Sequence, residues 1–333
     1  MLRAMDAAVA GLRAHQNKMD VVGHNIANVN TFGFKAQTYT FKEAMYQTST
    51  SSTGGTADAA GTNSAQFGYG ALMGTIGMDM TASTPTYVGG FNATISGDGF
   101  FLVKPTKVGT APDAIKGGDY SYTRVGQFSL DSNGYVVDGD KNFVFGFVAK
   151  EDGTFDTTQL VPLRMPTGYV GPKTTTTPGA NPGDPDITTT TPGYGEFDNT
   201  GDGDVLLSKE ITIDAAGQIM AKVEYEDPAT NKKTTATVSL GKVAIATFQN
   251  PNGLSKAGGN YYTTTEGDNA GPATAGIPGG SNPDLMTGYI EASNVDLAKE
   301  FADMITTHRG FQSNTKMITV SDEMLSDLVA MKR

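Results

Sequence analysis

Apolar residues near the start of the chain fall on Leu2, Met5, Val9, Leu12, Met19 and Ile26, and with Gln16 and Gly23 in the gaps the steps alternate between 3 and 4. This heptad seam, held over more than three heptads, predicts a helix of about 26 residues, roughly 40 Å long. The opposite face carries Ala4, Ala7, Ala8, Ala10, Gly11 and Ala14, small enough to admit a second element at close range. Near the other end, Leu297, Phe301, Met304, His308, Phe311, Thr315, Ile318, Asp322, Leu325 and Val329 repeat the alternation, and Ile305, Met324, Leu328 and Met331 widen the stripe. SNVD at 293–296 matches a capping box, with Ser293 as the cap and Asp296 reaching back, and opens a helix of about 35 residues.

Between the helices the period changes. Residues 47–66 contain no large apolar side chain and read as a flexible or extended loop. From about residue 71 short β runs alternate with Gly turns: ISGDGFFLV (95–103), YTRVGQFSLDSNGYVVDGDKNFVFGFVA (122–149), EITIDAAGQIMAKVEYE (210–226) and KVAIATF (242–248). This is an all-β domain. TTTTPG at 174–179 returns at 188–193, and the Thr, Pro and Gly density around it reads as an exposed loop interrupting that domain. The fold class expected is mainly β with terminal α-helices. The divisions are 1–31 plus 293–333 (helical), 32–70 (an extended linker), 71–165 plus 205–292 (β) and 166–204 (an insertion).

Two ordinary amphipathic core helices would explain the periodicity by themselves. Both helices are long, however, and a helix with an exposed apolar seam depends on tertiary packing for its stability. The two seams are therefore expected to pair with each other or with copies in neighbouring subunits.

Composition narrows the choices further. Of 333 residues, 42 are Gly and 15 Pro, consistent with many turns, and the net charge of −11 argues against a general affinity for nucleic acid or anionic lipid. The absence of cysteine excludes disulfides, thiolate metal sites and a Cys nucleophile. No run approaches the ~20 apolar residues of a membrane span, and Asp6 and Arg13 interrupt the stretch where a cleaved signal would be apolar.

Candidate chemistry is sparse. Asp198, Thr200, Asp202 and Gly203 resemble the start of a calcium loop, but its twelfth position is Lys209 and Glu210 comes one residue late, so an Asp/Gly turn is the better reading. His15, His24 and His308 are the only histidines and have no acidic ligand pair at metal spacing. Glu224 and Glu226 share a strand face, which is unspecific. The GDG fragments sit in hairpin turns, outside any strand–helix phosphate loop. No catalytic constellation, metal site or cofactor is expected.

Several of these stretches together resemble the flagellar rod and hook family of bacteria. HNIANVNTFGFK (24–35) is similar to that family's N-terminal signature through Asn25, Ile26, Ala27, Asn28, Thr31, Gly33, Phe34 and Lys35, with His24 where Asn is usual. ISGDGFFLV and YTRVGQFSLDSNGYVVDG resemble its shared strand motifs, and FQNPNGLSKAGGNYY (248–262) the segment before its C-terminal region. GYIEASNVDLAKEFADMITTHRGFQSNTKMITVSDEML (288–325), with Ser293, Asn294, Val295 and Asp296, is similar to its C-terminal helix signature. The resemblance covers nearly everything except 47–66 and about 166–204.

That resemblance implies a non-enzymatic, self-assembling subunit. In the family the two terminal helices form a coiled-coil inner domain lining the channel of a tubular polymer, with an outer β domain between them. Leu2, Met5, Val9, Leu12, Met19, Ile26, Leu297, Phe301, Met304, Phe311, Ile318 and Leu325 are then self-assembly residues. SNVDLAKEF, FQNPNGL and the length favour the hook branch, a flexible joint transmitting torque from rod to filament, over the distal rod; 166–204 would be a reduced outer lobe. The resemblance further implies a homopolymer whose partners are the distal rod protein, the hook cap, the hook–filament junction protein and the type III export apparatus. It implies an extracellular site reached without a cleaved signal, and no nucleic acid or membrane insertion. A secreted β-rich glycan-binding or glycan-active protein is the reading from another class, and it leaves the helical seams unexplained.

Overall fold

The computed structural model describes residues 2–55, 60–112, 115–149, 154–169, 174–177, 187–190, 197–198, 206, 208–227, 232–280 and 282–331. The chain folds into two compact units, one made of Met1–Asp79 and Ser293–Arg333, the other of Met80–Ala292.

The first unit contains both helices, α1 (Leu2–Ala27) and α2 (Leu297–Met331), at the lengths the heptad spacing implies. Between them in sequence run β1 (Gln37–Glu43), β2 (Tyr46–Thr50), β3 (Ala65–Gly68) and β4 (Ala71–Met78). β1 pairs antiparallel with β4 and β2 with β3, and the ladder continues between them through Ala44 N to Gly70 O (2.9 Å) and Tyr69 N to Met45 O (3.1 Å). Residues 37–55 and 60–78 thus form one long folded-back ribbon where an extended linker was expected over 32–70. The loop reading of 47–66 rested on missing apolar side chains. A ribbon exposed on both faces needs none, because its backbone groups satisfy one another and its threonines favour extended backbone.

The regular structure of the second unit's described residues is β apart from a 3-10 turn at Pro251–Gly253. Its main sheet runs Ser208–Ile213, Gln218–Asp227, Lys232–Val243, Phe143–Phe147, Phe100–Lys104, Ser121–Thr123, Tyr261–Thr263 and Ser255–Gly258, each antiparallel to the next. The middle strands are buried along almost their whole length, so FFLV and FVFGF read as continuous apolar runs without alternation. Phe101, Val103, Val144, Leu163, Ile219, Val238, Val243 and Ile245 form the core. Two short ladders, Ala93–Ile95 with Leu285–Thr287 and Pro85–Tyr87 with Tyr289–Glu291, join the early and late parts of this unit.

A buried ion pair stands beside the second ladder. Arg124 Nε donates to Glu291 Oε2 at 2.7 Å and Nη2 to Oε1 at 3.2 Å, while Nη1 donates to the carbonyls of Gly97 (2.7 Å) and Gly99 (2.6 Å). Ser83 N donates to Glu291 Oε1 at 2.9 Å, so one guanidinium–carboxylate pair ties together segments near 83, 97–99, 124 and 291.

The threonine repeat is also paired: Thr174–Thr177 runs antiparallel to Ile187–Thr190, and Gly168–Tyr169 to Phe197–Asp198. The plain-loop reading of 166–204 is corrected there. Consecutive β-branched residues favour extended backbone even where no core can form. Most of the calcium-like stretch lies outside the described residues.

Candidate assembly surface

The two helices of the first unit contact each other antiparallel. Gly11 abuts Asn314, where an added Cβ would come within 2.7 Å of Nδ2, and Gly310 abuts His15. Lys18 Nζ reaches Asp303 Oδ1 at 3.0 Å, and Asn25 Nδ2 reaches Glu300 Oε1 at 3.1 Å. As residue number rises on α1, it falls on α2.

The positions that meet are not the apolar seams. On α1 the contact passes through Gly11, His15, Lys18 and Asn25, one residue off the seam of Leu12, Met19 and Ile26. On α2 the buried residues are Glu300, Thr307 and Ser321. Met304, Phe311, Ile318 and Leu325 of the expected seam are half-buried. The small face of α1 is covered as well: Ala8 and Ala14 are buried, and Gly70, between β3 and β4, abuts Ala7.

Among the outward positions are many large apolar side chains. Leu297 (39%), Phe301 (50%) and Ile305 (55%) are exposed on the first turns of α2, and Met317, Val320, Met324, Leu328, Val329 and Met331 farther along. Val9 is exposed on α1, while Met5, Leu12, Met19 and Ile26 are half-buried; the side chain of Leu2 lies outside the described residues. The ribbon adds exposed Met45, Tyr46, Phe67, Leu72, Met73 and Ile76. A groove between α1 and β4 is lined by Val9, Ala10, Ala14, Leu72 and Met73 with Asp6, Arg13 and Asn17 at its rim. Exposed large apolar side chains in this number mark an interaction site.

The two signature stretches meet at the base of this surface. Asn25, 1% exposed, receives Gln37 N at 2.9 Å and donates to Gln37 O at 2.8 Å and to Glu300. Burial raises the Glu300 carboxyl above its usual range, against the Asn25 hydrogen bond, which lowers it. Asn28 donates to His24 O at 2.9 Å and receives the Thr31 hydroxyl at 3.1 Å, closing the turn after α1. Gly33 then adopts φ +67°, which a side chain would strain, and Phe34 and Lys35 follow buried. Asn294 links the second stretch to the first. Its Oδ1 receives Ala36 N at 2.7 Å, its Nδ2 donates to Asp79 O at 2.8 Å, and its N–H donates to Phe34 O at 3.4 Å. Ile26, Ala27 and Val295 have apolar side chains and take no part in these hydrogen bonds.

The capping box is corrected. Asp296 is the residue that caps α2, its Oδ1 receiving Ala298 N at 2.9 Å and Lys299 N at 3.4 Å, while Ser293 Oγ receives Val295 N. The helix starts at Leu297, which puts Asp296 in the capping place and Ser293 a turn too early. Arg124 and Glu291 were not singled out in the sequence, although both stand inside motifs quoted above. Their separation of 167 residues leaves no local signal.

Comparison with known proteins agrees with these stretches. Residues 5–35 match the family described as flagella basal body rod protein, and 286–331 the one described as flagellar basal body rod FlgEFG protein C-terminal. The flagellar basal-body rod protein FlgG of Bacillus subtilis is 35% identical over 336 residues, covering 100% of both chains. The flagellar hook protein FlgE of Borreliella burgdorferi is 28% identical over 461 residues, and FlgG of the same organism 28% over 341, again covering 100% of each. A crystal structure of Helicobacter pylori flagellar hook protein FlgE2 aligns with a TM-score of 0.34 at 13% identity, over 64% of this chain and 100% of that one, too slight a likeness to argue from. The chain belongs to the bacterial flagellar rod and hook family, as a structural subunit of the flagellar axis and not an enzyme.

Proposed function

We propose that the chain is a hook subunit, polymerising through α1 and α2 into a tube that bends while carrying torque from rod to filament. The observation that carries the self-assembly is the division of α2. Its contact with α1 uses Glu300, Asp303, Gly310 and Asn314, while nine large apolar side chains stay exposed. Covering the exposed half of each is worth about 1 kcal/mol, so roughly 9 kcal/mol per subunit awaits a neighbouring copy, before the cost of ordering. In the polymer the helices would bundle as a coiled coil around the channel, the β unit would lie outward, and 166–204 would form a reduced outer lobe.

Two features support the hook over the rod. The same 28% identity extends over 461 residues of the Borreliella hook protein but only 341 of its rod protein, so more positions agree with the hook. SNVDLAKEF is the other. The distal rod is the second reading, favoured by the Bacillus subtilis rod protein, whose 336-residue alignment scarcely exceeds this chain's 333. Partners under the hook reading are the distal rod protein, the hook cap and the junction protein, with export by the type III apparatus and no cleaved signal. Expression in strains lacking either hook or distal rod protein, followed by electron microscopy of basal bodies, separates the readings. Curved tubes on the rods of the hook-less strain support the first; rescue of the rod-less strain alone supports the second and overturns it.

A further inference from the structure

The α1–α2 contact contains a titratable group that assembly does not use. His15 is half-buried, and its Nδ1 is fully buried with no hydrogen-bond partner. Three elements close around the ring. From α2, Gly310 leaves so little room that a Cβ there would fall 2.6 Å from the imidazole Cε1. From β1, the Phe41 ring stands 5.2 Å away, tilted by 59°. From α1 itself, the Lys18 ammonium adds a like charge, with Asp303 of α2 paired to it at 3.0 Å. Thr307, one turn from Gly310, also has its hydroxyl buried without a partner. Lys42 and Glu43 on β1 and His308 and Arg309 on α2 are exposed, and Glu300 is engaged by Asn25.

A neutral ring with its proton on Nε2 fits this place and leaves only a buried lone pair at Nδ1. A proton on Nδ1 would create a buried donor without an acceptor and a second cation beside Lys18. We propose that His15 makes the packing of α1 on α2 acid-sensitive: the pair closes on a neutral imidazole and loosens when the ring is protonated. Burial, and after it Lys18, holds the imidazole below its ordinary 6.5, in keeping with this. The sign follows. The unpacked chain binds the proton more readily, so stability is full above 6.5 and is lost as pH falls through the lowered value. Glu300 acts oppositely, since its raised carboxyl favours the packed state at low pH.

The test is hydrogen exchange by mass spectrometry on the full-length chain at about pH 7.5 and about pH 5.5, corrected for intrinsic exchange. It compares the unaltered chain with His15→Phe, which keeps a ring against Phe41 and Gly310, and with His15→Gln. Peptides of α1 and α2 should open several-fold more at the lower pH in the unaltered chain, and neither variant should show that change. Peptides of the β unit should be flat in all three. The His15 Cε1 proton resonance should titrate below 6.5. An equal acid response in His15→Phe, or a titration at or above the ordinary value, overturns the proposal. If His15→Phe fails to pack, His15→Gln and the resonance decide.

Discussion

Replacing Asn25 with Ala removes a side chain whose three hydrogen bonds are all inside the first unit. It receives Gln37 N at 2.9 Å and donates to Gln37 O at 2.8 Å and Glu300 Oε1 at 3.1 Å, with the residue 1% exposed. Two neutral bonds contribute about 1 kcal/mol each, and the bond to a carboxylate about 2. The stranded partners add to the loss, because Gln37 N–H and C=O and the Glu300 carboxyl would be left without the amide that serves them. A total of at least about 4 kcal/mol is expected, which corresponds to an opening equilibrium shifted by roughly 1000-fold or more. Hydrogen exchange in α1 and β1, with the second unit as internal reference, measures it. Asn25→Asp should be comparably damaging, since it sets a second carboxylate against Glu300 and loses both donors. A change below about threefold for Asn25→Ala would refute the reasoning that this signature asparagine joins the end of α1 to β1 and α2.

The other expected outcomes concern separate parts of the chain. Arg124→Met strands a buried Glu291 carboxylate and should cost the β unit about 3–5 kcal/mol, read as a lowered urea midpoint, with no effect on exchange in α1. Phe301→Asp and Leu328→Asp change side chains 50% and 52% exposed, so each should abolish tube formation while leaving the circular dichroism of the monomer intact; normal tubes would count against the surface assignment. Glu300→Gln should remove a pH dependence whose sign is fixed by burial: stability of the α2 start falls as pH rises through the raised carboxyl range, and the variant should be flat there. Deleting 168–200 should leave folding and secretion unchanged, because excising an insertion of this length alters closure entropy little; loss of the β spectrum would assign those residues to the core.

The helices were legible because a heptad pattern fixes element and length together, and α1 and α2 fall where it put them. The face they share was not. The seams were expected to meet each other or copies in neighbouring subunits; within one chain Gly11, His15 and Lys18 meet Gly310, Asn314 and Asp303, one residue off the α1 seam, while Val9, Leu297 and Phe301 of the seams stay exposed. Periodicity reports that a face needs covering and cannot say by which chain. Residues 47–55 and 60–66 escaped notice for a different reason: their ribbon is held by backbone bonds between small or polar, exposed positions, which leave no hydrophobic signature. Asn25 and Asn294 were recognisable only through resemblance, since an asparagine that satisfies a backbone segment 12 or 258 residues away looks like any other in sequence.

The most direct test of the central claim is hydrogen exchange across Leu297–Met331 in the dilute monomer and in sedimented polymer of the same chain. Burial of the outward stripe by neighbouring copies should slow exchange through Phe301, Ile305, Val320 and Leu328 by at least about tenfold on assembly, with the core strands Phe100–Lys104 and Phe143–Phe147 unchanged. Polymer in which α2 exchanges as fast as in the monomer, with new protection confined to the β unit, would contradict it.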